Sequence, residues 1–312
     1  MNVNQALNEF LAEEHSQGRA PTTVLFHRRL LTPLVTFLEE RDRTDVASLG
    51  SSDMRAFFGH LYARQEAGEI TRATVAAFDR SVRAFFSFCV KEKLLPENPM
   101  KGRPRARPPR SLPDTLTFDE IHALLNACEE DPMGRRDRAL MLLMLDTGLR
   151  AGEVCALKAA DLVLAGDHGR VRVRAENSKD REERTVPVSA ETVKALRRYL
   201  EDRPAQAQAL FVSVAAGTRK LSADRLSGSG LNQLMRRRGE QADVVGKRKW
   251  CHIWRHTFGK DYVLAGGDLE TLRRLLGHSN LETVRVYLGF RTEEVEACHF
   301  KFSPVRQLVA CS

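Results

Sequence analysis

The sequence predicts a mainly α protein of two units, an all-helical N-terminal bundle and a mostly α C-terminal unit with a small antiparallel β-hairpin sheet. Three observations carry that expectation. Apolar residues recur three and four apart through residues 3 to 95, with no strand-like alternation. A segment holding five basic residues and three prolines in ten, Lys101 to Arg110, then interrupts the pattern. The only clear alternation comes later, at Arg170-Val-Arg-Val-Arg174 and Arg184-Thr-Val-Pro-Val188. At 312 residues the chain suits two domains that each bury a core. The expected boundaries are 1–100, a linker at 101–114, 115–292, and a tail at 293–312.

In the first unit, four or five helices are expected, around Ala6 to Leu11, Val24 to Leu38, Met54 to Leu61 and Val75 to Val90. In the last of these, Val75, Phe78, Val82, Phe85, Phe86 and Cys89 share a face, and Arg72, Arg80 and Arg83 fall on another arc. That arc is either an ordinary solvated face or one laid along phosphates. Pro96-Glu-Asn-Pro99 closes the unit. The linker that follows, with Arg103, Arg105 and Arg107, reads as an extended basic tether that cannot bury itself.

The second unit opens on a capping box, Thr117-Phe-Asp-Glu120. Ala139 to Leu145 is apolar all round, so a central buried helix is expected, ending at Thr147-Gly148. Arg150 follows at that junction, where an unpaired guanidinium would be costly, and Glu153 stands three residues on to orient it. Asn177-Ser-Lys-Asp180 has turn composition between the two alternating runs, which sets Lys179 at or beside a hairpin turn. Helices resume from Glu191 to Leu200 and from Leu226 to Gly239. Arg236 and Arg237, with Lys247 and Lys249 close behind, form the most basic region of this half, expected as a phosphate-contacting surface.

Cys251-His-Ile-Trp-Arg-His-Thr-Phe-Gly259 starts a helix that gathers His252, Arg255, His256 and Gly259 on one narrow arc. Zinc on Cys251, His252 and His256 is disfavoured, because Arg255 on the same arc repels a cation and no second ligand pair has matching spacing. Asp268 then initiates a helix that stops at Gly277, and a second short helical segment carries Tyr287. His278 and Tyr287 are thereby held nine residues apart across a tight corner.

Lys and Arg number 49 against 41 Asp and Glu, a net charge of +8 and a pI of about 9.4, which favours a polyanionic partner or serves solubility. No apolar run approaches the ~18 residues of a membrane span, and a cytoplasmic protein is expected. Cys89, Cys128, Cys155, Cys251, Cys298 and Cys311 are scattered without a CxxC, as buried reduced thiols would be.

Arg150, Lys179, His252, Arg255, His278 and Tyr287 together contain no carboxylate pair and no metal motif. Such a set suits a phosphate whose negative charge grows during reaction. The phenol is then the nucleophile; a free phenol is only about 0.1% ionised at neutral pH, so ~4 kcal/mol must come from local positive charge or general-base help.

Thr147-Gly-Leu-Arg-Ala-Gly-Glu153, His252-Ile-Trp-Arg-His-Thr-Phe258 and Leu276-Gly-His-Ser279 followed by Tyr287 resemble the signature boxes of the tyrosine recombinases of phage-integrase type, in the same order. The Lys179 hairpin resembles that family's β-hairpin lysine, although Asn177-Ser178 stands where glycines are common. The N-terminal helices resemble its core-binding domain. The resemblance implies that Tyr287 attacks a scissile DNA phosphate to give a 3′-phosphotyrosyl link, that Arg150, Arg255 and His278 hold the non-bridging oxygens, that Lys179 protonates the leaving 5′ oxygen, and that His252 assists proton transfer. Glu153 and His256 would orient these groups, and no metal or cofactor is implied. The implied partner is double-stranded DNA, bound by four protomers on two sites, with strands exchanged through a Holliday junction and with tails docked on neighbours. Tyr287 is expected to be the mobile part, positioned by a neighbour's tail. Two other readings remain open: a non-catalytic DNA-binding regulator on the same scaffold, and a type IB topoisomerase.

Overall fold

The computed structural model describes the chain except residues 108–113, 179–181, 245, 247–249, 285–286, 288–291 and 303–312, together with the side chains of Thr283, Thr292, Cys298 and Phe302. Lys179, Lys247, Lys249 and most of the tail beyond Lys301 therefore lie outside the described residues. Two compact units emerge, Met1–Ser111 and Leu112–Ser312, each with its own core.

The first unit packs four helices, α1 (Val3–Ser16), α2 (Pro21–Glu39), α3 (Ser51–Glu66) and α4 (Arg72–Lys91). Pro21 occupies the first position of α2, where a missing N–H costs nothing. On α4, the expected face of Val75, Phe78, Val82, Phe85, Phe86 and Cys89 is fully buried. Phe10, Phe57 and Phe85 fill the centre with edge-to-face contacts, such as Phe10–Phe85 at 5.9 Å.

The start of the linker departs from the expected free tether. Arg83 on α4 pairs with buried Asp79 and donates to the carbonyls of Met100 at 2.9 Å and Arg103 at 2.7 Å. Arg103 lies over the Phe58 ring at 4.1 Å. Residues 100 to 106 are thus irregular in backbone yet held against the bundle, because an Arg can satisfy carbonyls that have no helical or strand partner.

The second unit is built on α6 (Pro132–Thr147), capped by Asp131, whose carboxylate accepts from the Gly134 amide at 2.7 Å. The helix α5 (Phe118–Asn126) precedes it, with the expected Thr117–Glu120 capping box. After α7 (Ala151–Ala156), three antiparallel strands follow: β1 (Leu162–Ala165), β2 (His168–Val173) and β3 (Arg184–Val188), in the order β1-β2-β3. Val171 opposes Val186, and Val171, Val173, Val186 and Val188 face the core. Pro187 is tolerated because β3 is an edge strand.

The sequence reading anticipated β2 and β3 and missed β1, whose four residues are too few to show alternation; the signal was the turn Gly166-Asp167, with Gly166 at φ 54°. A second short sheet, β4 (Val212–Val214) with β5 (Leu221–Arg225), was also missed. α8 (Ala190–Asp202) and α10 (Trp250–Leu264) pack on α6, and α9 (Gly228–Gln241) packs on α10. Then come α11 (Leu269–Leu276) and α12 (Thr292–Phe302). Lys260 pairs with Glu294, and the Lys301 ammonium donates to the Ala265 carbonyl at 3.2 Å, so α12 is tied to the end of α10. Cys89, Cys128, Cys155 and Cys251 are buried free thiols, pushed by burial up to about 11 or 12.

Candidate active site

The site forms where three helix ends meet. α6 terminates at Gly148, whose φ of 61° belongs to the left-handed region; a Cβ there would lie 2.4 Å from Phe258 and 2.7 Å from Leu276. The close approach sets the end of α6 directly against α10 and α11. α11 also ends in a left-handed glycine, Gly277, and the His278 amide closes the turn on the Arg273 carbonyl at 3.0 Å. Arg273 in turn donates to the His278 carbonyl at 2.7 Å, fixing the corner.

Arg255 on α10 threads between these ends and is 4% exposed. It donates to the carbonyls of Gly148 at 2.7 Å and Leu276 at 2.9 Å, and its Nη2 stands 3.0 Å from His278 Nε2. Helix C-terminal carbonyls are natural partners for a cation. Burial lowers its pKa to about 10, with Tyr287 opposing the fall by charge and a hydrogen bond and Arg150 adding to it, so Arg255 stays charged at neutral pH.

Arg150 caps α7, and its amide and guanidinium both bind Glu153, at 2.8 and 3.1 Å. It also reaches the Gly277 carbonyl at 3.3 Å. Arg150 and Arg255 therefore converge on the same corner. Glu153 is buried, which alone would raise its carboxyl; hydrogen bonding and charge from Arg184 and Arg150 outweigh this and hold it below the usual carboxylate range.

Tyr287 is 4% exposed, and its amide donates to the Val284 carbonyl at 2.9 Å. Its short helical segment begins as a 3₁₀ turn, Leu281–Thr283. The ring rests on Gly259, where a Cβ would be 2.7 Å away, and packs with Leu272, Leu276 and Val284. The His256 ring lies 5.7 Å from the Tyr287 ring and 6.4 Å from that of His252, so α10 presents Arg255, His256 and the Gly259 gap toward the phenol. His252 is exposed at the rim.

The structure thus brings together Arg150, Glu153, Arg255, His256, His278 and Tyr287. Among the other basic residues singled out, Arg72, Arg80, Arg105 and Arg107 are exposed; Arg236 pairs with Glu240, and Arg237 donates to Asp137 at 3.2 Å. Arg83 and Arg103 are engaged internally as described. Sequence reasoning missed Arg184, which binds both oxygens of Glu153 at 3.0 and 2.7 Å. The signal was present: Arg184 shares its inward strand face with Val186 and Val188, and an inward Arg demands a buried acid.

Two guanidiniums, an imidazole and a phenol around one point can bind a phosphoryl group and attack it. The phage integrase family model matches residues 114–294, more than half of the chain and every residue of this cluster. The chain belongs to the phage integrase family. The N-terminal SAM-like domain of phage integrases matches residues 7–93. Among curated members, the tyrosine recombinase XerD of Xanthomonas axonopodis pv. citri is 33% identical over 97% of this chain and 97% of its own length. The tyrosine recombinase XerA of Thermococcus kodakarensis is 29% identical over 98% of both chains. A tyrosine-type recombinase is the enzyme class that this membership gives. The fold agrees: a lambda integrase tetramer bound to a Holliday junction superposes with a TM-score of 0.72 at 18% identity, covering 93% of this chain and 79% of that one. The XerH recombinase in a post-cleavage complex with its difH substrate gives 0.69 at 19% identity, covering 90% and 80%. Among the described residues, no helix is long and apolar enough to cross a membrane.

Proposed function

We propose that this phage integrase family member is a site-specific DNA recombinase whose nucleophile is Tyr287. The observation that carries the reading is the convergence of Tyr287, Arg255, His278 and Arg150 from four separate segments onto one buried corner. The Tyr287 oxygen attacks the scissile phosphorus and loses its proton as the bond from phosphorus to the 5′ oxygen breaks. The products are a 3′-phosphotyrosyl link and a 5′-hydroxyl.

Arg150, Arg255 and His278 hold the non-bridging oxygens as their charge grows, and His252 assists transfer of the phenolic proton. Lys179 delivers a proton to the leaving 5′ oxygen. Because the ester energy is retained in the covalent link, a 5′-hydroxyl from a partner strand can reverse the step without ATP. Two such exchanges through a Holliday junction, by a tetramer on two DNA sites, complete the reaction. Glu153 and His256 orient the reacting groups. Arg72, Arg80, Arg105, Arg107 and Arg236, exposed at the surface, are the side chains that meet DNA phosphates.

The test uses duplexes recovered from a random-sequence pool by binding, with a nick stepped along the selected sequence to trap cleavage. The wild type is expected to give a covalent protein–DNA complex that survives denaturation, and Tyr287→Phe to give none while binding the same DNA. No complex from the wild type would sink the enzymatic reading.

A further inference from the structure

We propose that Arg184 is a positioning residue of this reaction, holding the Arg150–Glu153 pair and the His278 corner in one register. The inference rests on the recombinase reading above and concerns a residue that acts through Glu153 and the α11 corner. Arg184 opens β3, and its side chain, 10% exposed, reaches three separate pieces of the site. Its two terminal nitrogens form a fork on Glu153, at 3.0 Å to Oε1 and 2.7 Å to Oε2. Its Nε donates to the Leu275 carbonyl at 2.9 Å, in the last turn of α11. Its tip lies under Gly277, where a Cβ would come within 2.7 Å of Nη1.

Each contact bears on a reacting group. Glu153 is the carboxylate that Arg150 also uses, through Oε1 at 3.1 Å. Two guanidiniums sharing one carboxylate keep a net positive charge at the cluster. Without Arg184, Glu153 would pair with Arg150 alone, cancelling its charge and drawing it from the phosphate. The bond to Leu275 and the seat under Gly277 fix the height of the corner that carries His278.

Lysine cannot reproduce this, since one ammonium does not span a fork and a third acceptor. The experiment measures single-turnover covalent-complex formation by wild type and Arg184→Lys on two nicked duplexes of the selected sequence. One has an ordinary scissile phosphate and the other an uncharged methylphosphonate at that position. Arg184→Lys is expected to slow cleavage of the phosphodiester by about tenfold or more while DNA affinity changes by less than about twofold. On the neutral methylphosphonate, which asks less of Arg150, the loss should shrink to less than about threefold. An equal loss on both substrates would mean a merely structural residue, and an unchanged rate would mean no role; either overturns the proposal. A wild type that cleaves neither duplex overturns the recombinase reading beneath it. Should Arg184→Lys fail to melt cooperatively, the double variant Arg184→Lys/Glu153→Gln, which also takes away the carboxylate that would neutralise Arg150, is read instead: phosphodiester cleavage within about threefold of the wild type supports the coupling, and a loss of about tenfold or more overturns it.

Discussion

At the scale of single residues, the site works by burial of charge against backbone. Arg255 is spared the usual cost of a buried guanidinium because two helix-terminal carbonyls and the phenol face it. Gly259 leaves the space that Tyr287 occupies, so Gly259→Ala should push the ring away. An overpacking strain of about 1 to 3 kcal/mol is expected, with cleavage falling at least about tenfold while DNA binding persists. Unchanged single-turnover cleavage by that variant would show that the ring does not need this seat. Glu153 supplies a pH dependence. Its folded-state pKa lies below the ordinary 4.5, so its contribution to stability is complete above that value and lost as pH falls through the depressed one. Urea unfolding of wild type and Glu153→Gln should therefore differ by about 3 kcal/mol at pH 7, and the difference should narrow below pH ~4.5. A constant gap from pH 7 to 3 would remove Glu153 as the titrating group.

At the scale of elements, most of the helices were legible because each carries its own periodicity and caps. Thr117, Asp131 and Asp268 cap as their side chains suggest, and Gly148 and Gly277 stop α6 and α11 where a left-handed residue is required. What the sequence concealed was tertiary. β1 and the β4–β5 pair are too short for a period to register, and the Arg83 clasp on the linker joins residues whose carbonyls leave no trace in side-chain pattern. Nor did α9 betray that Arg238, fully buried, binds Asp137 of α6 at 2.8 Å beside Arg136, also on Asp137 at 2.7 Å. The basic run at the end of that helix reads as a phosphate-contacting surface, and only packing shows that Arg238 is internal. Asp137→Asn would leave two buried guanidiniums short of their anion, and a loss of about 3 to 5 kcal/mol is expected by denaturant unfolding. A loss below about 1 kcal/mol would mean that the network is neutral. Tyr287 packs in a small cluster with Leu272 and Leu276 of α11 and with Val284, and α12 is tied to the end of α10 through Lys260 and Lys301.

At the scale of the whole molecule, two units with independent cores share a basic chain. Residues 1–107 expressed alone are expected to fold cooperatively, since Arg83 and Arg103 close that core without help from the second unit; a non-cooperative melt by circular dichroism would contradict this. Binding of the full chain to duplex DNA should weaken steeply with salt, with a slope of about −0.9 in log K per phosphate neutralised, whereas a flat dependence would remove the DNA partner. The family boxes were readable because they are contiguous in sequence, and their convergence is what the fold adds. The central claim is that Tyr287 makes the bond to DNA. The most direct measurement is to trap the covalent complex on a nicked duplex, digest the protein and the DNA, and identify the modified peptide and the linkage by mass spectrometry. The account predicts a nucleotide joined through its 3′ phosphate to Tyr287. A nucleotide on any other residue, or one joined through its 5′ phosphate, would contradict it.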